Sequence, residues 1–225
     1  MTAARGPGET GVQALHLLHR ALGRLTRRRW RIVPYRFFAQ PLGAPGGAVL
    51  RDDPRTVIRQ VGAGDPLVAA FPRPGAVNAR RFAAGHRCHA AVVNGEFAGH
   101  IWTAASGYEE DEVRCRYEFA RPARGCWDFD VYVAPKWRLG RTMARLWQAV
   151  DRNRAGEGVA WSFSRISMFN AESLGAHARL GARPVGWAIF LVAGSWQWAV
   201  TSGSPRLHFC ASHERRPVLT LPEPA

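Results

Sequence analysis

The chain has 225 residues, 47% of them hydrophobic, and a formal charge of +14. That is enough for one large domain, or a domain with an extension, built on a buried core. It bars a short stapled scaffold, and the charge directs attention to polyanions: nucleic acid, anionic lipid, acidic carrier proteins or phosphorylated cofactors. Nearly all of the positive charge is arginine, since Lys136 is the only lysine. Cys88, Cys115, Cys126 and Cys210 form no CxxC pair and no zinc spacing. Residues 1–12 are polar and glycine-rich and do not read as a signal peptide, so the expected setting is reducing and cytoplasmic. The most apolar stretch, residues 187–200, is shorter than the ~20 residues a membrane helix needs and reads as core strands.

Residues 1–11 read as disordered and 12–29 as a helix, with Leu15, Leu18, Leu22 and Leu25 at helical spacing and arginines loading its second half. Those leucines are expected to pack on the domain, with the arginines in water. Residues 32–38 read as a strand broken by Pro34, residues 41–48 as a loop, and residues 57–61 as a short strand. Residues 62–75 are rich in Gly and Pro. A short helix over 77–84 follows, ended by Gly85. Strands over 88–93 and 97–104 flank Asn94-Gly95, a strong hairpin signal. Residues 112–119 and 126–133 alternate as strands, and Pro135 ends the second. A long helix over 138–153, a strand over 159–167 and a helix over 171–180 come next. The last is N-capped by Asn170 and ended by Gly181. Residues 184–192 and 196–200 read as a closing hairpin, and the tail after Pro217 as loose. Meander strands followed by a β-α-β-α-β run predict an α/β fold on a sheet of mixed direction.

Two stretches carry chemistry. Strand 126–133 ends in Ala134-Pro135 and runs through the turn Arg138, Leu139, Gly140, Arg141, Thr142 and Met143 into a helix. A turn of free amides at a helix N-terminus is an anion site, held by main chain more than by any one side chain. The alternative is a plain helix start with two solvated arginines. Further on, Asn170, His177 and Gly181 stand at spacings of seven and four.

This pattern resembles the GNAT superfamily of N-acetyltransferases over roughly residues 76–193. Arg138 falls on the first position of the family's pyrophosphate turn, and Asn170, His177 and Gly181 keep the second motif's spacing. Arg141 and Met143 stand where glycines are usual, and His177 where tyrosine is. The resemblance implies a mostly antiparallel central sheet flanked by helices. It implies an acyltransferase domain over 76–205, preceded by a basic helix-and-strand extension over 1–40 and a connecting segment over 41–75, and followed by a tail over 206–225.

The resemblance implies direct acyl transfer from acetyl-CoA or another acyl-CoA to an amine. Val131 and Val133 would pair with the pantetheine arm, and Arg138 to Met143 with Asn170 would line the cofactor. Acyl-CoA would lie where strand 131–133 splays from strand 159–167. Asp130 would act as the base that takes the amine's proton, unless Asp128 and Asp130 pair with arginines instead. His177 would protonate the thiolate, against the plainer reading of a surface histidine. An acidic acyl carrier protein as donor and a non-catalytic fold binding a polyanion are the alternatives. The acceptor is a small-molecule or peptide amine. Nucleic acid is a minority reading, peripheral membrane contact by the basic helix stays open, and no metal is implied. His86, Cys88, His89 and His100 do not make a zinc set, because His89 points away from the others on a strand. Glu109 to Glu112 read as a solvated tip, or as the lining of a site for a cationic amine.

Overall fold

In a computed structural model, residues 7–43, 50–179 and 181–224 are described. In chain order the elements are α1 (Glu9–Leu25), β1 (Trp30–Pro41), β2 (Thr56–Val61), α2 (Gly75–Ala83), β3 (Arg87–Val93), β4 (Glu96–Ala104), β5 (Tyr108–Glu109) and β6 (Arg116–Phe119). There follow β7 (Gly125–Val133), α3 (Thr142–Gly156), β8 (Trp161–Ser167), α4 (Ala171–Arg179), β9 (Arg183–Ala193), β10 (Trp196–Thr201), β11 (Leu207–Cys210) and β12 (Val218–Leu221). The expected α/β architecture, with strands pairing mostly antiparallel and helices on the sheet faces, is the one observed. The chain divides into two compact units: Met1–Gln40, Ser106–Pro122 and Phe163–Ala225, and Pro41–Ala105 with Ala123–Ser162.

In the first unit the strands run β11-β10-β9-β1-β8. β1, β9, β10 and β11 pair antiparallel, with Tyr35 opposite Ala188 and Trp198 opposite both Leu191 and Phe209. A small second sheet, β12-β6-β5, joins β6 in parallel to β12 and antiparallel to β5. Its Tyr117 packs edge-on against Phe37 at 5.1 Å, and Phe119 stacks on Phe163 at 4.8 Å, closing an aromatic core.

Several expectations need correcting here. Strand β1 runs through Pro34, whose carbonyl still accepts the Met168 amide at 2.9 Å, so the strand sits inside the sheet instead of extending from it. The tail is not loose: Leu219 and Leu221 are buried by β12, an alternating apolar run that finds an edge to join. Strand 112–119 shortens to β6, because the Gln197 side chain accepts the Arg114 amide at 2.8 Å and donates to its carbonyl at 2.7 Å, taking the place of a partner strand. Helix α1 buries no side chain, and Leu17, Leu18 and Leu25 face solvent.

In the second unit the strands run β7-β4-β3-β2, all antiparallel. Asn94 and Gly95 both have positive φ (52° and 79°), the turn that the Asn-Gly pair predicts. Helix α3 lays Leu146, Trp147 and Val150 over Ala91, Val93 and Ile101, an apolar layer of this unit. Helix α2 brings Phe82 onto Trp102 at 4.7 Å.

Candidate functional site

Strand β7 carries the first group of candidate residues, and it is not regular. His100 of β4 opposes Tyr132, and Trp102 opposes Phe129, so Asp130 and Val131 together face Ile101. This is a β-bulge, and Asp130 occupies its left-handed position at φ 47°. Gly99 permits it: a Cβ there would stand 2.3 Å from the Tyr132 carbonyl oxygen. The bulge rotates the side chains out of simple alternation. Strict alternation would put Asp128 and Asp130 on one face, but Asp128 meets Ser162 and Asp130 meets Arg73, Arg81 and His100.

These two carboxyls therefore differ in chemistry. Burial pushes the Asp128 carboxyl up to about 7, only partly offset by the Ser162 hydroxyl donating to it at 2.6 Å. The Cys126 thiol donates in turn to the Ser162 oxygen at 3.6 Å. Burial also pushes Asp130 up, but the neighbouring His100 ring at 3.9 Å, the hydrogen bond and charge of Arg81 and the contact with Arg73 outweigh it and hold that carboxyl well below the usual range. The Arg81 guanidinium lies over the rings of Trp102 and Phe129, at 5.4 and 5.1 Å. The arginine pairing weighed from the sequence is thus present at Asp130. A carboxylate so held is ionised but a weak base.

Past the bulge, Val131 and Val133 pack beside the α3 layer. The Val133 carbonyl accepts from Arg138 Nε at 3.1 Å. One 3₁₀ turn over Pro135–Trp137 leads to Arg138 in right-handed helical conformation, and the Gly140 amide donates to the Trp137 carbonyl at 3.1 Å. Leu139 is wholly exposed. Arg141 is the N-cap of α3 and makes no side-chain cap. The first amide with an acceptor inside the helix is that of Arg145, bonded to the Arg141 carbonyl at 2.9 Å. The amides of Thr142, Met143 and Ala144 precede it, in the position where a helix leaves donors for an anion. Met143 reaches the apolar layer and Thr142 is buried, while Arg141 stands exposed at the start of the helix.

Asn170 and His177 belong to the other unit. Asn170 Oδ1 accepts the Ser173 amide at 3.0 Å, so its capping role is realised. Gly181 at φ 76° and the Ala182 amide on the His177 carbonyl, at 3.0 Å, close the helix. His177 is 6% exposed, not a surface histidine, and its Nδ1 lies 2.9 Å from the Ser173 carbonyl. A carbonyl only accepts, so Nδ1 carries the proton. Desolvation lowers the ring below its usual range, against a smaller opposing effect of the Ser173 bond. The neutral imidazole is favoured, with Nε2 as an acceptor.

The acidic stretch departs from a solvated tip. The Glu110 side chain is fully buried and accepts both Arg165 Nε and Nη2 at 2.6 Å, while Arg165 lies over the Tyr35 ring at 4.4 Å. A buried carboxylate needs such a partner, and Arg165 is too distant in sequence for the pairing to be read there. The arginine partner weighed for Asp128 is replaced by Ser162, which nothing in the chain announces. Gly99 could have been singled out as a lone glycine inside a strand. Among the described residues, no group of three or more His, Cys, Asp or Glu could hold a metal ion.

Comparison with known proteins gives the fold. No family model matches the sequence, and no curated protein is similar to it. A tandem GNAT protein from the clavulanic acid biosynthesis pathway superposes with TM-score 0.50 at 16% identity, over 89% of this chain and 61% of that one. A functionally unknown conserved protein from Staphylococcus epidermidis gives 0.49 at 13% identity, over 83% and 68%. A protein assigned to the GNAT acetyltransferases from Novosphingobium aromaticivorans gives 0.47 at 20% identity, over 68% and 61%. The chain thus spans about three-fifths of the length of two of these structures. The chain has the fold of the GNAT acetyltransferases.

Proposed function

We propose that the protein is an N-acyltransferase that moves an acyl group from acyl-CoA directly to an amine. The observation that carries this reading is the run from the bulge at Asp130 to the start of α3: an anion fits the amides of Thr142 to Ala144, with the side chains of Arg138 and Arg141 exposed beside them. The diphosphate of CoA is such an anion, and Val131 and Val133 lie on the strand leading to it. Asp130 serves as a fixed charge that sets the bulge, since its ion pairs leave it little basicity. His177 is the proton-transfer group, and its state suits accepting a proton at Nε2 better than donating one.

The test is release of free thiol from acetyl-CoA in the presence of small and peptide amines, with the His177→Phe variant alongside. A base of lowered pKa predicts a rate that falls on the acid side of neutrality in the native protein, and a variant with at least a hundredfold lower kcat. Unchanged turnover in the variant removes His177 from the mechanism. No thiol release with any acyl-CoA, but release from an acylated carrier protein, moves the donor to that protein.

A further inference from the structure

We propose that one face of the unit carrying α1 docks on an anionic phospholipid bilayer. Helix α1 turns Val12, Leu15 and Leu22 partly inward, while Leu17, Leu18 and Leu25 stand 68%, 50% and 83% exposed. Its one acidic residue is Glu9, in the first turn. Among the described residues, Arg20, Arg24, Arg27, Arg28 and Arg29 have no carboxylate partner. Arg27 and Arg28 both hold positive φ (50° and 63°), a conformation bulky side chains rarely adopt. With Arg20, Arg24, Arg31 and Trp30 they line a cleft of about 700 Å³.

An apolar sheet surface continues from that cleft. Antiparallel partners share a face, and Trp30 opposes Ala193, which opposes Trp196. Trp198 and Val200 follow on β10, opposite Phe209 and Leu207 on the next strand, and all of these side chains are exposed. Arg36, on the Trp30 side of β1, bonds the Pro7 carbonyl just before α1, so the helix enters on this side.

Unpaired arginines flanked by exposed leucine and tryptophan are the composition of an interfacial helix, in which cations meet lipid phosphates and aromatic rings sit at headgroup level. A second copy would set two arginine-rich surfaces against each other, which repels. A nucleic acid would use the arginines and leave Leu17, Leu18, Leu25 and Leu207 in water. A bilayer covers both.

The full chain is sedimented with vesicles of phosphatidylcholine alone and of phosphatidylcholine mixed with phosphatidylglycerol. Binding is expected only to the mixed vesicles, weakening as salt rises, with a blue shift of tryptophan emission. Arg20→Gln and Arg24→Gln should each weaken partition about fivefold, and Leu17→Ser with Leu18→Ser should abolish the blue shift; all four sites are exposed, so melting temperatures stay at wild type. The proposal fails if mixed vesicles do not bind at low salt, or if the leucine changes leave vesicle binding unaltered. It fails too if single-stranded RNA binds where vesicles do not, or if light scattering shows a dimer that the leucine changes dissolve. None of these outcomes depends on acyl transfer.

Discussion

Asp128→Asn isolates the buried carboxyl. In the native state Asp128 holds its proton up to about 7, while in the unfolded chain it releases it near the ordinary 3.8. A carboxyl whose folded value is raised binds more protons folded than unfolded across that window, so its contribution to stability declines as pH rises from about 4 to about 7. At about 1.4 kcal/mol for each pH unit, the full effect is about 4 kcal/mol, an upper figure because the site relaxes. Asparagine mimics the protonated form and keeps an oxygen for the Ser162 hydroxyl. Urea unfolding of both proteins at several pH values gives the difference curve. His89, lowered to about 4 by desolvation and the nearby Arg154 and Arg87 charges, tilts both proteins in the opposite sense and cancels in the difference. The variant should gain on the native protein by up to about 4 kcal/mol between pH 4 and pH 7. Parallel curves would refute the raised carboxyl.

Other changes test the bulge and the second motif. Gly99→Ala drives a methyl into the Tyr132 carbonyl and should cost about 1–3 kcal/mol in denaturant unfolding and weaken acyl-CoA binding, whereas Gly62→Ala, which meets nothing within 4 Å, should match wild type. Arg81→Met strips a buried partner from Asp130 and should cost about 3–5 kcal/mol; adding Asp130→Asn, which tolerates positive φ, should restore part of it in the same assay. Asn170→Ala removes the cap on Ser173 and should lower stability by about 1 kcal/mol, read from the thermal midpoint.

What the sequence made legible followed from local rules. Asn94-Gly95 set a hairpin because both residues adopt positive φ cheaply, and Asn170 with Gly181 bracketed α4 by capping. The strand–turn–helix over 125–156 was readable for the same reason. The bulge was not, since period-two alternation assumes one residue per partner and Asp130 with Val131 share Ile101. Nor was the fate of the acidic residues. Glu110, Asp128 and Asp130 find Arg165, Ser162 and Arg81 across 55, 34 and 49 positions, distances at which sequence carries no pairing signal. Helix α1 misled because helical spacing aligns Leu15, Leu18, Leu22 and Leu25 on one stripe without specifying what covers it, and Leu18 and Leu25 face solvent.

Thermal unfolding with acetyl-CoA and with acetyl-pantetheine, which lacks the diphosphate, addresses the central claim directly. At a hundred times its dissociation constant, acetyl-CoA should raise stability by about 2.7 kcal/mol, while acetyl-pantetheine at the same concentration raises it far less. Equal shifts would mean that the start of α3 does not hold the diphosphate, and no shift with either would contradict acyl-CoA as the donor.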